Sequence, residues 1–301
     1  MPTESESASF SRFVVTWLAT VAVVKFKPSA YKEYEGIIRL HLVPAFGDLT
    51  LSAITVERIQ VYIAGKLGSG LTPRSVINHV IVLKAVIGTA VDYGLILENP
   101  VDKVVRPRVE RAVQAYLTPP QLRELIEATE PRFRLLIALP ALCGLRKSEC
   151  LAAEFSDVSV EDMTISINKS MRGGVVSTPK TKASTGVVPF GESLLPLIEQ
   201  RRTSGHRLLF SKRDGSPLSD STPNRILERA LVAAHLPSIR FHDLRRSWCI
   251  AHLQAGTDVR TLMTLGRWSS SQTLLETYAA YIPPAGGEAV RKLDRLVNDQ
   301  E

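Results

Sequence analysis

Thr72-Pro73 opens the most completely specified element in the chain: a hydroxyl cap, then proline at the first helical position, where its missing N–H costs nothing. Val76, Val80, Leu83, Ile87 and Val91 then recur at helical spacing until Gly94 supplies the stop. An apolar stripe of that kind needs other helices to cover it, and the preceding sequence offers them. Phe13 to Val24 predicts a first helix, and Ser29-Ala-Tyr-Lys-Glu-Tyr-Glu a second, with Ser29 as its N-cap. A loop with Pro44 and Gly47 follows. Thr55 precedes a short helix through Ile59 and Ile63, ended by Gly65, Gly68 and Gly70. Residues 1–105 are therefore expected to form a helical bundle of about four helices, closed by Asn99-Pro100.

The full 301 residues exceed one typical domain of roughly 100–200 residues, so a second domain is expected. Val101 to Ala115 lacks periodicity, and 106–116 reads as a basic linker around Pro107, with Arg106, Arg108 and Arg111. That linker is either a solvated strap or a segment that touches a partner. Thr118-Pro-Pro-Gln121 then carries the pattern of a capping box. Helices through Leu122–Ile126, Phe133–Leu142 and Arg146–Phe155 follow, and then the period changes. Thr164-Ile-Ser-Ile, Val175-Val-Ser-Thr and Gly186-Val-Val-Pro-Phe alternate like strands, with a hairpin turn at Gly173-Gly174. From Glu192 the chain returns to helices, with starts at Thr222-Pro223 and Thr257-Asp258. Residues 117–285 are thus expected to be mostly helical with one small antiparallel sheet.

Composition narrows the partners. The net charge is +7, and residues 1–105 carry ten basic against nine acidic residues, so most of the excess lies in the second part. An acidic partner fits, and nucleic acid is the commonest one. Cys143, Cys150 and Cys249 form no CxxC pair, which suits a reducing compartment and offers no zinc framework. Glu4 and Glu6 stand where a secretory signal carries positive charge, and Phe13–Val24 is shorter than the roughly 20 residues that span a bilayer. A cytoplasmic protein without a membrane segment is expected.

Several side chains then invite chemistry. In Phe241-His242-Asp-Leu-Arg245-Arg246, positions three apart share a helix face, so His242 and Arg245 can donate several hydrogen bonds to one phosphate. A surface His/Arg pair has the same spacing. Gly144-Leu-Arg146-Lys-Ser-Glu149 puts an arginine at a helix start, where the dipole already favours anions; either an anion sits there or Arg146 pairs with Glu149. Lys180 and Lys182 lie between two predicted strands, as proton donors or as solvated charges. Trp268, in Leu-Gly-Arg-Trp-Ser-Ser, is a donor-only indole or a core filler. Tyr278 and Tyr281 offer phenols whose ordinary pKa near 10 makes them poor nucleophiles without nearby cations.

The order of these elements is more specific than any one of them: Arg, Lys between strands, HxxR, GxW, and a Tyr ten residues after the Trp. In that order the sequence resembles the tyrosine recombinase (phage integrase) family. Ala141-Leu-Cys-Gly-Leu-Arg146-Lys-Ser-Glu149 is similar to its first arginine box, and Asp157 follows where members usually have one. Phe241-His242-Asp-Leu-Arg245-Arg-Ser matches the second box. Leu265-Gly-Arg-Trp268-Ser-Ser is similar to the third, where many members have His. Tyr31 to Leu42, the Pro-Ala-Phe-Gly47-Asp turn, Leu71-Thr-Pro and Gly94-Leu-Ile-Leu-Glu-Asn-Pro100 resemble the family's helical (SAM-like) core-site-binding domain.

The resemblance implies a mainly α protein whose helical core-binding bundle and catalytic domain form a C-shaped clamp around double-stranded DNA. It implies cleavage by Tyr278 through a 3′-phosphotyrosine, with the phosphate held by Arg146, His242, Arg245 and Trp268. Lys180, which precedes Thr181 as the family lysine most often does, would protonate the leaving oxygen; Lys182 shares its strand face. Tyr281 is the fallback nucleophile. No metal and no cofactor are implied, whereas a two-metal nuclease would need a carboxylate cluster that the sequence lacks. Partners implied are core-site DNA, a homotetramer on synapsed DNA and a directionality factor. Residues 286–301, with Ala289, Val290, Leu293, Leu296 and Val297 at helical spacing, are expected to form a helix exchanged between subunits or packed on its own domain. No room is seen before about residue 9 for an arm-site-binding domain. Phage or mobile-element integration and excision is the first reading, with a Xer-like dimer resolvase and a type IB topoisomerase as alternatives.

Overall fold

Ser9 accepts a hydrogen bond from the Arg12 amide at 3.4 Å and so starts α1, Phe10–Trp17. The computed structural model describes residues 9–109, 115–177, 185–202, 205–281 and 286–298. The chain divides into two compact units, residues 1–112 and 113–301.

In the first unit α1 continues through a π turn, Leu18–Ala22, into α2, Val23–Lys25. Helix α3 is Pro28–Ile37, so Ser29 lies inside it rather than capping it. Proline's fixed φ suits the first helical position, and Pro28 takes that place. The expected loop around Pro44 is also replaced by helix. A second π turn, Ile38–Leu42, leads into α4, Val43–Phe46, and Pro44 falls in the first turn after this shift of hydrogen-bond register, where its missing N–H is tolerated. A 3-10 turn, Leu51–Ala53, leads to α5, Val56–Gly68, capped by Thr55. Helix α6, Pro73–Asp92, is capped by Thr72 as the sequence predicts.

Helix α6 is long and apolar enough to cross a membrane by composition, but here it is the central core helix. Its Val76, Val80, Leu83 and Ile87 are buried against Phe10, Trp17, Leu42 and Ile59, and each such burial contributes about 1.5–3 kcal/mol. The polar groups in this core are paired. The Trp17 indole donates to Thr89 Oγ1 at 2.9 Å, and the Tyr62 hydroxyl meets His79 Nδ1 at 2.8 Å. Burial, with His41 and Lys66 adding to it, pushes His79 down to about 4, so it is neutral at pH 7. Pro100–Lys103 is a 3-10 turn, and Val101 and Val104 are buried in this same core rather than belonging to a linker.

The second unit opens on the capping box of Thr118 and Gln121 that starts α7, Pro119–Ala128. Helix α8, Arg134–Cys143, ends on Gly144 in the left-handed region, at φ 67°. Helix α9, Lys147–Ala152, is shorter than the Arg146–Phe155 expected, because Phe155–Asp157 is a separate 3-10 turn. Strands β1 (Val158–Ser159), β2 (Thr164–Ile167), β3 (Ser170–Arg172), β4 (Val175–Ser177) and β5 (Gly186–Pro189) follow. They make two small antiparallel sheets among the described residues, not one. In the first sheet, β1-β2-β5, Ile165 pairs with Val158 on one side and Val188 on the other. The second is the β3-β4 hairpin, turning on Gly173 and Gly174, both at positive φ. Strands β1 and β3, of two and three residues, are too short to carry an alternating pattern. Helices α10 (Leu195–Arg202), α11 (Thr222–Ala233), α12 (Phe241–Gln254), α13 (Val259–Gly266), α14 (Ser271–Tyr278) and α15 (Gly286–Asn298) complete the unit. Thr222 is the first helical residue of α11 rather than its cap, whereas Asp258 caps α13 by accepting from the Thr261 amide at 2.9 Å.

Candidate active site

Asp243 fixes the start of α12. Its carboxylate accepts from the Arg240 backbone amide at 2.9 Å and pairs with the Arg240 side chain, which anchors the first turn and complements the dipole. With that turn fixed, Leu244 and Trp248 enter the core, Ser247 accepts from the Leu117 amide at 2.9 Å, and Arg245 projects inward, 2% exposed.

Arg245 is placed by two helix ends. One Nη donates to the Gly144 carbonyl after α8, the other to the Gly266 carbonyl at the end of α13. Its guanidinium lies 4.4 Å from the Trp268 ring, a cation–π contact. Both glycines are sterically required. A Cβ on Gly144 would lie 2.6 Å from the Trp248 ring, and one on Gly266 only 1.9 Å from the Trp268 ring. Burial, then the nearby Arg146 and Arg267 cations, push Arg245 down to about 9. The site holds more positive charge than the protein compensates, which is the electrostatic signature of an anion-binding cleft.

Glu149 is the compensating carboxylate. Its Oε1 accepts from Arg146 Nη1 at 2.7 Å, and its Oε2 from the Arg146 amide at 2.8 Å. Oε2 also accepts from Arg267 Nη2 at 2.6 Å, with both side chains nearly inaccessible. The expected Arg146–Glu149 pair therefore exists, but Glu149 divides its charge between two arginines. His242, one turn from Arg245, keeps an exposed surface. Enclosure of its ring, then Arg245, lower its pKa, so the neutral imidazole is favoured.

Trp268 stacks on Trp248 at 6.0 Å and meets Tyr278 edge-on at 6.4 Å. Tyr278 ends α14, is 5% exposed, and has the Arg246 guanidinium 5.5 Å from its ring centre. Burial, then Cys249, raise its pKa, while Arg246 and Arg245 pull it down. Tyr281 borders the same buried cluster but packs edge-on against Tyr116 at 5.3 Å. Arg146, His242, Arg245, Trp268 and Tyr278 are thus brought together. Lys180 and Lys182 lie outside the described residues, between β4 and β5. Among the described residues no cluster of His, Cys, Asp or Glu could hold a metal ion.

The sequence reading missed Arg267, Trp248 and the bridging part of Glu149. A signal existed for Arg267 alone: an arginine next to Gly266, where a helix ends.

Residues 115–282 match the model of the phage integrase family, and residues 9–67 that of the phage integrase N-terminal SAM-like domain. The ICEBs1 integrase of Bacillus subtilis is 27% identical, over 98% of this chain and 85% of its own length. Among solved structures, the Tn1549 transposon integrase in complex with a circular intermediate DNA has the same fold, with a TM-score of 0.81 at 18% identity over 96% of this chain and 100% of that one. A lambda integrase tetramer bound to a Holliday junction gives 0.75 at 19% identity, over 89% and 80% of the two chains.

Proposed function

The chain belongs to the phage integrase family of tyrosine recombinases, and from this we propose that it is a site-specific DNA recombinase that integrates and excises a phage or other mobile element. Its substrate is double-stranded DNA carrying core sites, recombined in a homotetramer, with a directionality factor as accessory partner. Such work is done in the cytoplasm of a bacterial host. The observation that carries the reading is Arg245: a buried cation pinned by two glycine carbonyls and stacked on Trp268, with Tyr278 against the same indole.

In this mechanism Arg146, His242, Arg245 and Trp268 donate to the non-bridging oxygens of the scissile phosphate. Their charge stabilises the pentacoordinate transition state. The Tyr278 oxygen attacks phosphorus, forming the 3′-phosphotyrosyl bond as the bond to the 5′-oxygen breaks. The departing 5′-oxygen takes a proton from Lys180, and the phenolic proton leaves through neutral His242. Because burial holds the Tyr278 phenol protonated, attack waits until the phosphate and the arginines are in place. The diester bond energy is kept in the adduct, so a 5′-hydroxyl from a second strand can reverse the step.

On a nicked core-site substrate wild type is expected to trap a covalent adduct that persists in EDTA. Tyr278→Phe is expected to bind the same DNA and trap none. An adduct formed by the Phe variant would transfer the nucleophile role to Tyr281.

Helix α15 completes the proposal. Its Val290, Leu293 and Val297 are each more than 60% exposed in the single chain, an apolar stripe that soluble proteins cover with a partner. It docks on a second copy in the synapse. Removing residues 286–301 is expected to leave single-site cleavage intact and to abolish paired-site complexes in gel-shift experiments; undiminished synapsis would exclude the docking.

A further inference from the structure

Arg267 occupies a backbone position that arginine disfavours. It ends α13 at φ 55° and ψ 50°, with its amide bonded to the Thr264 carbonyl at 3.1 Å and the Trp268 amide to the Met263 carbonyl at 3.0 Å. This is the paired-bond helix ending that glycine usually supplies, because a Cβ is strained there. The side chain is also costly where it lies, since it is 6% exposed and its Nε has no hydrogen-bond partner. Two unfavourable features in one residue call for a compensating interaction; Nη1 donates to the Leu265 carbonyl at 3.3 Å, and the charged partner is Glu149 at 2.6 Å.

We propose that Arg267 is a positioning residue for the recombinase reaction: by taking half of the Glu149 carboxylate it keeps the Arg146 charge available to the scissile phosphate. The proposal rests on the recombinase reading above. Glu149 Oε2 is shared between Arg267 Nη2 and the Arg146 backbone amide, while Oε1 holds the Arg146 side chain. Around this single carboxylate stand Arg146, Arg267 and, beyond them, Arg245. With Arg267 present, one anion is divided between two cations and the cleft keeps a net positive charge. Without it, Glu149 becomes a private counter-ion of Arg146, which is then neutralised and drawn from the phosphate. The Arg267 guanidinium spends Nη2 on Glu149 and Nη1 on the Leu265 carbonyl, so the role assigned to it is exerted through Glu149.

Arg267→Gly tests this, since glycine suits the left-handed turn and only the side chain is lost. The covalent-adduct rate on the nicked substrate is expected to fall about 100-fold, the effect of removing one transition-state donor, with DNA affinity and melting temperature close to wild type. In the double variant Arg267→Gly with Glu149→Gln, the competing anion is gone but the acceptor for the Arg146 amide remains. That variant is expected to recover at least about tenfold of the loss, a coupling that a merely structural role would not produce. Unchanged cleavage by Arg267→Gly overturns the proposal, as does a folded double variant no better than the single one. Failure of both variants to fold overturns it too, because Arg267 would then be a stabilising residue only. Absence of any adduct from wild type would instead count against the recombinase reading itself.

Discussion

Arg245→Met is expected to abolish cleavage while leaving the fold nearly as stable as wild type. The guanidinium donates to the Gly144 and Gly266 carbonyls, each two residues before a proposed phosphate donor, Arg146 or Trp268. Losing its charge and donors removes transition-state stabilisation of about 10²–10³-fold for a single donor and more for a charged pair, so a loss of about 10³-fold or greater is anticipated. Stability is a balance of two terms. The two carbonyls lose a donor each, at about 1–3 kcal/mol apiece. Against this, burial and the neighbouring arginines push Arg245 down to about 9, a penalty on the order of 4–5 kcal/mol at about 1.4 kcal/mol per pKa unit. Arginine stays charged throughout the usable pH range, so this penalty is unmet electrostatic demand rather than a titration. Methionine removes it and fills similar volume. The melting temperature is therefore expected to stay within a few degrees of wild type, or to rise. Inorganic phosphate or sulfate should raise the melting temperature of wild type and not of the variant, because only wild type needs the counter-charge. A variant that cleaves within tenfold of wild type, or one whose melting temperature still rises with phosphate, would remove Arg245 from the centre of the site.

That prediction also marks where the sequence is legible. His242 and Arg245 share a helix face because the spacing of three is set by helix geometry alone. Thr72 and the Thr118/Gln121 pair were readable as caps for the same reason: the partner lies three residues away. The short strands β1 and β3 were not, since pairing such as Val158 with Ile165 or Met171 with Val176 is decided by partners rather than by local pattern. Nor was helix through Pro44 expected, because a π turn is a tertiary accommodation with no sequence signature here. At the site, Arg146 and Glu149 are three apart and could be paired from sequence, whereas Arg267 reaches Glu149 across 118 positions. The distance separates what local chemistry can specify from what only the assembled core reveals. The same holds for the two tyrosines. Only the spacing from Trp268 separates Tyr278 from Tyr281 in the sequence, whereas in the fold one packs on Trp268 and the other on Tyr116.

Gly266→Ala carries the second large effect, by steric means. Gly266 ends α13 with an ordinary backbone, so alanine is not strained there; the problem is the space. The added Cβ would sit 1.9 Å from Cζ3 and 2.2 Å from Cε3 of Trp268, so the indole must leave its place. Trp268 is stacked on Trp248, lies 4.4 Å from the Arg245 guanidinium and meets the Tyr278 ring. Displacing it loosens one wall of the site and shifts the Gly266 carbonyl that holds Arg245. Overpacking of this kind costs about 1–3 kcal/mol, and a misplacement near 1 Å can reduce a rate about 100-fold. The variant is therefore expected to melt several degrees lower, to show altered tryptophan fluorescence, and to cleave about 100-fold more slowly. Shrinking the ring separates the two consequences. In Gly266→Ala with Trp268→His, the imidazole leaves room for the methyl and still offers a donor, so stability should return and cleavage should come within about tenfold of Trp268→His alone. Should Gly266→Ala cleave and melt like wild type, the tight contact between Gly266 and Trp268 is not what holds the indole beside Arg245. Should the double variant stay as slow as Gly266→Ala, the defect lies in the Gly266 carbonyl and its bond to Arg245 rather than in the ring.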